Sequence, residues 1–350
     1  MLEARGGAFL HLTWHQGVTI MALILSRSDI QRCLDMPEAI EAMRVAFRAL
    51  QTGLAQTPQR AHVALPEQGV VLSMPALLET PEYYAFGLKV ISVAPQNPPQ
   101  GLPLSFATVL LLDATTGRTL AILEGGWLTA MRTGAVSGLA TDLLAREDAD
   151  VLALFGAGTQ AVTQVLAIDT VRPLREVRVL NRSDEHFERL EAGLHALLDP
   201  ACPLIRRVAS PAEALSGALL VACATTSTTP LFDWDMLAQG AHINAIGAFT
   251  LSMCEVDVET LAHACIVVDQ REAALAEAGD VVQALRAGRI SGPGTWLELG
   301  EIVTGRQPGR RTSEEVTCFK SVGVAVQDVA VALHVYRRAR SLGIGIEVEM

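Results

Sequence analysis

The chain has 350 residues and a formal net charge of −11, and 50% of its residues are apolar while only 19% are charged. This composition supplies ample material for a buried core and excludes an intrinsically disordered chain. The acidic balance excludes nucleic acid and anionic membrane surfaces as expected partners, because both are usually bound through basic patches.

The basic residues are unevenly divided between the two residue types. All but two of the 27 basic residues are arginine, and the two lysines are Lys89 and Lys320. The arginine bias has an ordinary explanation in a GC-rich coding sequence. The two retained lysines therefore need an explanation of their own.

The cysteines and the N-terminal segment bear on the cellular compartment. The 6 cysteines are far apart and form no C-x-x-C pattern, so we expect neither a metal site nor a disulfide framework. We expect small buried side chains in a reducing cytoplasm. No apolar run has the length of a membrane-spanning helix. The first twenty residues lack the pattern of a signal peptide, and residues 1–20 are predicted to be a disordered extension.

The first part of the chain mixes helical and β-type patterns. Asp35 and Pro37 mark the entry of a helix, and Gly53 marks its end. Short strands are then predicted at residues 62–65, 70–74, 85–92, 106–112 and 119–123. The last two flank a turn between Asp113 and Gly117, which predicts a hairpin. A helix is predicted over residues 129–145, with small side chains that let another backbone approach closely.

From Asp150 onward, strands and helices alternate, which is typical of a parallel α/β sheet. Strands are predicted at residues 151–155, 176–180, 219–223, 242–246, 266–268 and 316–319, and a helix is predicted from about 323 to 340. The predicted fold class is α/β. A Rossmann domain at 133–319 is expected to be inserted into a second domain made of 21–132 and 320–350.

Residues 150–161 contain the strongest local motif, a strand followed by a glycine-rich turn and a helical run. Gly156 permits the tight turn, Gly158 lets a pyrophosphate approach the backbone, and Ala161 allows the helix to pack closely on the strand. Because the required strand and helix flank the turn, the motif predicts dinucleotide binding rather than a structural glycine turn. Thr159 and Gln160 complete the predicted phosphate-binding turn.

The end of the second predicted strand bears on the choice of cofactor. NAD-preferring sites usually carry an acidic residue here for the ribose 2′-hydroxyl, but this chain has Asn181, Arg182 and Ser183. Arg182 can pair with a 2′-phosphate, and its two neighbours can donate hydrogen bonds. The sequence therefore favours NADPH, with NADH possible. The alternative is that Arg182 lies on a solvated helix start.

Three cations, Arg60, Lys89 and Arg132, have apolar neighbours in the sequence. A buried unpaired ammonium costs several kcal/mol, so Lys89 in the middle of a strand implies an anionic partner. A structural salt bridge explains one such residue equally well. Three together favour a clamp for a substrate carboxylate, because arginine binds a carboxylate bidentately and an amine adds a point charge and can release a proton.

Eight motifs occur in order between about residues 25 and 340, and together they resemble the ornithine cyclodeaminase/mu-crystallin family. They are Arg60, Met74-Pro75, Gly87-x-Lys89, the hairpin turn 111–117, Leu128-Thr-Ala-x-Arg132-Thr133, the turn 156–161, Asn244-Ala-Ile-Gly247 and Glu315-Val-Thr-x-Phe-Lys320-Ser321-Val-Gly323. The resemblance implies a homodimer in which the Rossmann domain is inserted into an α/β dimerisation and substrate-binding domain. It also implies an imine or amino-acid substrate.

The resemblance assigns roles to residues of both domains. Arg60, Lys89 and Arg132 would hold the substrate carboxylate beside the nicotinamide. Because an amine can release a proton, Lys89 is also the candidate catalytic proton donor. The segment from Lys320 to Gly323 would close over the nicotinamide, with Ser321 as the contact.

Three further side chains enter this interpretation. Thr225 and its two neighbours would lie at the cofactor ribose or phosphate. As alternatives, Lys320 is a surface residue at a strand end, and Asp328 is a solvated or capping charge.

One departure from the family pattern favours reduction over deamination. Cyclodeaminases of this family carry an acidic residue shortly after the glycine of the N-A-x-G motif, but here Phe249 takes that position. Phenylalanine cannot act as the base that deamination of an amino acid requires, whereas a protonated cyclic imine already attracts hydride.

The sequence therefore favours an NADPH-dependent reductase that converts Δ1-pyrroline-2-carboxylate or Δ1-piperideine-2-carboxylate to L-proline or L-pipecolate. The first alternative is an NAD-dependent ornithine cyclodeaminase or alanine-type dehydrogenase. The second is a non-catalytic, crystallin-like binding protein.

Overall fold

The computed structural model describes residues 20–81 and 83–350, and within them the strands form two sheets. The strands are β1 (Met21–Leu25), β2 (Ala55–Gln56), β3 (Ala61–Ala64), β4 (Val70–Glu79), β5 (Tyr84–Val93), β6 (Ser105–Leu112), β7 (Thr119–Glu124), β8 (Val151–Phe155), β9 (Glu176–Leu180), β10 (Leu204–Arg207), β11 (Leu220–Cys223), β12 (His242–Ala245), β13 (Cys265–Val268), β14 (Leu297–Glu298), β15 (Thr317–Lys320) and β16 (Ile346–Glu349). The predicted extension at residues 1–20 lies outside the described residues except for Ile20.

The helices cover the faces of both sheets. They are α1 (Arg27–Cys33), α2 (Met36–Thr52), α3 (Gly125–Leu144), α4 (Ala161–Val171), α5 (Asp184–Leu198), α6 (Pro211–Leu215), α7 (Val258–His263), α8 (Arg271–Glu277), α9 (Gly279–Arg286), α10 (Leu299–Val303) and α11 (Ala325–Leu342). In the described ranges, no helix combines the length and the apolar character that a bilayer crossing requires.

The first sheet has the order β16-β1-β7-β6-β5-β4-β2, with β3 also paired to β4. Its strands are antiparallel except for the parallel pair β1 and β7. The predicted hairpin is confirmed: Asp113 Oδ1 accepts hydrogen bonds from the N–H groups of Thr115 and Thr116 at 3.0 and 2.8 Å. Gly117 has a φ of +74°, a conformation that glycine adopts without strain.

The second sheet is entirely parallel, with the order β10-β9-β8-β11-β12-β15-β13-β14. The five strands from β10 to β12 follow the 3-2-1-4-5 order of a Rossmann fold, and β15 from the end of the chain extends the sheet. The strand order reverses between β8 and β11, where such sheets bind ligands at the carboxyl ends of the strands. The predicted α/β fold class with a Rossmann domain is confirmed.

Local sequence signals explain the ends of the two long N-terminal helices. Asp35 caps α2 by accepting from the N–H of Glu38 at 2.8 Å, and Gly53 ends it with a φ of +77°, as predicted. Helix α3 begins earlier than predicted, at Gly125. The reason is that the Glu124 carboxylate accepts from the N–H groups of Gly126 and Trp127 at 2.6 and 2.9 Å and so caps the helix.

Helix α3 packs against α4 at very short range, which its small residues permit. A Cβ added at Gly134 would lie 2.4 Å from the carbonyl oxygen of Thr163, so only glycine fits there. The expected close approach of another backbone is therefore confirmed. The proposed domain boundaries at 132/133 and 319/320 fall inside α3 and at the last residue of β15. The division into domains stays a prediction.

Candidate active site

Lys89 lies on the inner face of the first sheet, directly beneath α11. Alternate residues of β5 are buried, and a Cβ added at Gly87 would lie 2.6 Å from Val329 Cγ2. The helix is therefore in contact with the strand at this point. Lys89 is only 2% exposed and its side chain reaches Asp328, the residue before Val329.

Asp328 binds two of the three predicted cations. Lys89 Nζ lies 2.9 Å from Oδ1 and 2.8 Å from Oδ2 of Asp328, and Arg132 Nε lies 3.2 Å from Oδ1. Arg132 also donates from Nη1 to Gln327 Oε1 at 2.7 Å. The expected anionic partner of Lys89 is thus Asp328. The alternative that Asp328 is a solvated charge is wrong, because this carboxylate is buried between two cations.

The buried cluster changes the acidity of Lys89. Burial and the nearby Arg132 guanidinium lower the pKa of Lys89 to about 7, although Asp328 opposes the shift. Burial alone would raise the pKa of Asp328, but Lys89 and Arg132 together hold it below its usual value. Lys89 can therefore gain and lose a proton near neutral pH while Asp328 stays ionised.

Arg60 reaches the same place from the other side of a tight turn. Its Nη2 donates to the carbonyl oxygens of Val322 and Gly323 at 3.2 and 2.5 Å, and its Nε lies 3.0 Å from Glu277 Oε1. A Cβ added at Gly323 would lie 2.4 Å from Nη1 of Arg132, so the backbone of this turn also contacts Arg132. The turn therefore lies between the guanidinium groups of Arg60 and Arg132. The structure therefore brings all three predicted cations together.

Asp269 joins this cation cluster to the second sheet. It follows β13, and its Oδ2 accepts from Ser321 Oγ and from the N–H groups of Val322 and Gly323, each at 2.8 Å. These bonds fix the turn that follows β15. The carboxyl edge of the second sheet and the cation cluster are thus parts of one site.

The cations keep hydrogen-bond donors that the protein does not use. The Lys89 ammonium has three N–H groups, of which one donates to Asp328 Oδ1, while Oδ2 lies 2.8 Å away as an ion-pair contact. Across residues 20–81 and 83–350, the Nη2 group of Arg132 makes no hydrogen bond. These donors suit a small anion such as a carboxylate.

The glycine motif lies where three strands of the second sheet end. Gly156 has a φ of +99°, its N–H donates to the carbonyl of Leu180 at 3.0 Å, and an added Cβ would lie 2.6 Å from the carbonyl oxygen of Ala224. The ends of β8, β9 and β11 therefore meet at this glycine. This is the point at which the strand order reverses.

The residues around Gly156 fit a dinucleotide. A Cβ added at Gly158 would meet no atom within 4 Å, so the space over the turn is open. Gln160 caps α4 without a side-chain hydrogen bond. The N–H of Ala161 donates to the carbonyl of Gly158, and within the described residues the N–H groups of Val162 and Thr163 are left for a phosphate. Within the described residues, the buried Gln160 Oε1 and Asn181 Oδ1 also lack partners. Hydroxyl donors of a ribose would satisfy such acceptors.

An exposed arginine, Arg182, lies just after β9. Arg182 is exposed and makes no hydrogen bond or ion pair with the described part of the chain, while Ser183 caps α5 by accepting from the N–H of His186. Arg207, at the end of the neighbouring β10, donates to the carbonyl of Asn181 at 3.2 Å and pairs with Asp184. Sequence reasoning missed Arg207. Its contact with Asn181 depends on the pairing of β10 with β9, and β10 is not among the strands that the sequence predicts.

Two other predicted cofactor contacts already have protein partners. Thr225 donates from its N–H and its hydroxyl to Glu255 Oε1 at 2.7 and 2.8 Å. The buried hydroxyl of Ser321 donates a hydrogen bond to Asp269 Oδ2. Their roles toward a cofactor stay predictions. The alternative that Lys320 is a surface residue is wrong, since it is 1% exposed and 2.7 Å from Asp280.

The loop that follows β12 carries no carboxylate at the expected position. Phe249 is half-buried there, between the buried Ala248 and the exposed Thr250. The nearest acidic residue along this loop, Glu255, has its two oxygens bound to the N–H groups of Thr225, Gly247 and Ala248. It is therefore committed to the backbone.

A group of possible metal ligands lies elsewhere, at the end of α5. Ligand atoms of His195, Asp199 and Cys202 lie within 4.8 Å of one another. His195 Nδ1 is already 3.0 Å from Asp199 Oδ1, and both side chains are exposed. This arrangement is an ordinary contact at the end of a helix, and the expectation of no metal site stays a prediction.

Comparison with known proteins agrees with this architecture. A Δ1-pyrroline-2-carboxylate reductase from Bacillus cereus is 37% identical over 329 residues, which cover 93% of this chain and 99% of that protein. An alanine dehydrogenase from Archaeoglobus fulgidus is 34% identical over 332 residues, which cover 93% and 98%. The structure of Thermococcus litoralis Δ1-pyrroline-2-carboxylate reductase in complex with NADH and L-proline matches with a TM-score of 0.87 at 36% identity, covering 93% of this chain and 100% of that one.

A Rossmann sheet with an open glycine turn, joined to a buried cluster of cations and matched over almost the whole chain by named reductases, identifies the chain as a dinucleotide-dependent oxidoreductase. The model of the ornithine cyclodeaminase/mu-crystallin family matches residues 21–343. The chain belongs to that family, as the resemblance implied.

Proposed function

We propose that this protein is an NADPH-dependent reductase of a cyclic imine carboxylate, such as Δ1-pyrroline-2-carboxylate or Δ1-piperideine-2-carboxylate, with L-proline or L-pipecolate as product. The observation that carries the proposal is the buried Lys89, which is bound to Asp328 beside Arg132 and has a pKa of about 7. Such a group is a proton donor at neutral pH inside a site built for an anion.

The cations first bind and orient the substrate. Arg60, Arg132 and Lys89 have donors left for the substrate carboxylate, and gripping it places the adjoining C=N bond in a fixed position. The turn from Ser321 to Gly323, which Asp269 holds in place, lies against Arg60 and Arg132 of the cluster. Orientation of this kind supplies much of the rate increase in a reaction between two bound partners.

The reduction then needs one hydride and one proton. A reduced nicotinamide cofactor, which the turn at Gly156 and Gly158 would hold at the carboxyl edge of the second sheet, would supply the hydride. Lys89 supplies the proton to the imine nitrogen, and Asp328 stabilises the ammonium until that transfer. Lys89 is left neutral and recovers its proton from solvent when the amino acid leaves.

Two observations favour imine reduction over the deaminating alternatives. The loop after β12 carries Phe249, so it provides no free carboxylate to remove a proton from a substrate ammonium. The relative from Bacillus cereus and the matching structure from Thermococcus litoralis both bear the name Δ1-pyrroline-2-carboxylate reductase.

The direct test follows the loss of NADPH and NADH absorbance with a panel of substrates. We expect fast oxidation of NADPH with the two cyclic imines, and slow or no reaction with pyruvate plus ammonia. Ornithine with NAD should give no ammonia. Release of ammonia and proline from ornithine would contradict the proposal, and so would rapid reduction of pyruvate with ammonia.

The proposal of NADPH rests on the free guanidinium of Arg182 at the end of β9. Asn181 and Ser183 flank it, and Arg207 brings a second guanidinium to the same turn. A 2′-phosphate carries two negative charges that such groups bind well, whereas the 2′-hydroxyl of NADH gains little from them.

Replacing Arg182 with alanine is expected to weaken NADPH binding roughly 10- to 100-fold, because a charge-assisted hydrogen bond contributes about 1.5–3 kcal/mol. NADH binding should change less than about twofold. Fluorescence titration of both cofactors measures this change. Arg189→Ala, which removes an exposed arginine of the following helix α5, is the matched control and should leave the ratio of the two dissociation constants unchanged. An equal loss of affinity for both cofactors would contradict the assignment.

We also propose a homodimer, supported by the outer face of the first sheet. Directly paired residues share a face, and the row Val63, Val71, Ser92 and Phe106 runs across β3 to β6 on the face opposite Lys89. Val63 and Phe106 are 61% and 52% exposed. An exposed apolar sheet face of this kind is typical of a subunit interface. A second copy of this chain is the proposed occupant.

The proposed compartment is the cytoplasm. Cys33, Cys223, Cys254 and Cys318 are buried. Burial raises the pKa of the Cys33 and Cys254 thiols, in the latter case to about 12, which fits small packing side chains rather than reactive thiols.

A further inference from the structure

A second group of buried charges lies under the carboxyl edge of the Rossmann sheet and takes no part in the proposed chemistry. Lys320, Asp280 and Glu255 are each at most 1% exposed. Lys320 Nζ lies 2.7 Å from Asp280 Oδ2, and Asp280 Oδ1 accepts from the N–H groups of Glu255 and Val256 at 2.5 and 2.9 Å. The Lys320 side chain thus contacts the Asp280 side chain, which in turn holds the backbone of Glu255, and we call these three residues the Lys320 network.

Glu255, at the end of this network, ties two loops together. One carboxylate oxygen accepts from the N–H and the hydroxyl of Thr225, in the loop after β11. The other accepts from the N–H groups of Gly247 and Ala248, in the loop after β12, at 2.7 and 3.0 Å. A Cβ added at Gly247 would lie 2.2 Å from the carbonyl oxygen of Thr225, so the two loops are in direct contact.

The position of these two loops in the sheet indicates which half of a dinucleotide they would face. A Rossmann sheet binds its dinucleotide in two halves, one on each side of the point where the strand order reverses. Asn181 and Arg182 lie at the adenosine half, after β9. The loops that Glu255 joins lie on the other side of β8, after β11 and β12, where the nicotinamide half binds.

The charges explain why a lysine is retained at position 320. Burial raises the pKa of Glu255, and the Lys320 ammonium opposes this shift, so the lysine keeps the carboxylate able to accept four hydrogen bonds. An arginine, with its larger planar head, would have to enter a space that is already fully enclosed by protein. A neutral residue would leave two buried carboxylates without a cation.

We propose that Glu255 is a positioning residue for the nicotinamide half of the cofactor, and that Lys320, acting through Asp280, holds it in place. This proposal rests on the proposed function, since it requires a dinucleotide at this edge. It acts on both NADPH and NADH, because it lies away from the 2′ position of the adenosine ribose. It does not touch the imine, whose carboxylate lies at the cation cluster.

The test compares Glu255→Gln and Lys320→Met with the wild type by fluorescence titration of both cofactors and by steady-state kinetics. We expect both variants to weaken binding of NADPH and of NADH by roughly tenfold each, with the ratio of the two dissociation constants unchanged. The KM for the imine at saturating cofactor should stay near the wild-type value. Glu255→Asp, which keeps the charge but shortens the side chain, should also weaken both cofactors and replaces Glu255→Gln if that variant does not fold.

Glu176→Gln is the matched control, because Glu176 is a buried, ion-paired carboxylate of the same sheet but lies at the amino end of β9. It should lower the melting temperature and leave both cofactor affinities unchanged. If Glu255→Gln and Lys320→Met behave like this control, the network is only structural and the proposal is overturned. Failure of the proposed function is seen separately, as a wild-type protein that binds dinucleotides but reduces no cyclic imine.

Discussion

Replacing Lys89 with arginine is expected to lower kcat for imine reduction by roughly 10²- to 10⁴-fold, the usual contribution of a positioned general acid. Arginine keeps the positive charge that binds a carboxylate, but its pKa is too high for it to release a proton at neutral pH. Fluorescence titration should show unchanged NADPH affinity, since Lys89 lies on the first sheet and not at the cofactor-binding edge.

Lys89→Met is the companion variant, because it removes the charge without adding volume to a buried site. Its kcat should fall as much as that of the arginine variant. Its KM for the imine should also rise, because one cation of the clamp is missing. Circular dichroism should establish that both variants are folded. A kcat near the wild-type value in the arginine variant would remove Lys89 from proton transfer and leave it a binding role only.

The pH dependence of wild-type kcat/KM tests the proton-donor role of Lys89 independently. Only protonated Lys89 can donate, and its pKa is about 7 in the free protein. The value of kcat/KM for reduction should therefore fall as the pH rises through about 7, and oxidation of the amino acid should show the opposite trend. Both variants should lose this break, which distinguishes the titration of Lys89 from that of the substrate.

Much of the fold was predictable because the decisive signals are local. The cap at Asp35, the turn from Asp113 to Gly117 and the glycine at position 156 each act within a few residues of their own position. Strands β10 and β16 were not predicted. Both have only four residues and lie at sheet edges, and a run of this length is too short to establish a strand pattern.

The site was predictable in its cations but not in its anions. Lys89 was conspicuous as a charge inside an apolar strand, and the same signal was available for Asp328, which has Val326, Val329 and Ala330 around it on α11. Which carboxylate meets which cation depends on how α11 packs on β5, since 239 residues separate Lys89 from Asp328. Helical periodicity alone does not fix that packing.

Replacing Asp328 with asparagine is expected to lower the free energy of unfolding by about 3 kcal/mol at pH 6, because losing one partner of a buried ion pair commonly costs roughly 3–5 kcal/mol. The lower end applies because Lys89 can give up its proton once Asp328 is neutral. Urea unfolding followed by circular dichroism measures the loss. Asp142→Asn, which removes a partly exposed partner of Arg44, is the control and should cost at most about 1 kcal/mol.

The loss should depend on pH in a direction that the Lys89 titration fixes. The pKa of Lys89 in the folded wild type, about 7, is below that of the unfolded chain. Removing Asp328 takes away a charge that raises this pKa, so it falls further in the variant. Below pH 7 the wild type therefore keeps a charged pair that the variant lacks, whereas well above pH 7 Lys89 is neutral in both folded proteins. The difference in unfolding free energy should shrink between pH 6 and pH 9. A difference that stays constant over this range would show that Lys89 does not titrate near neutrality. It would contradict the control of the Lys89 pKa by Asp328, and also the role of Lys89 as the proton donor.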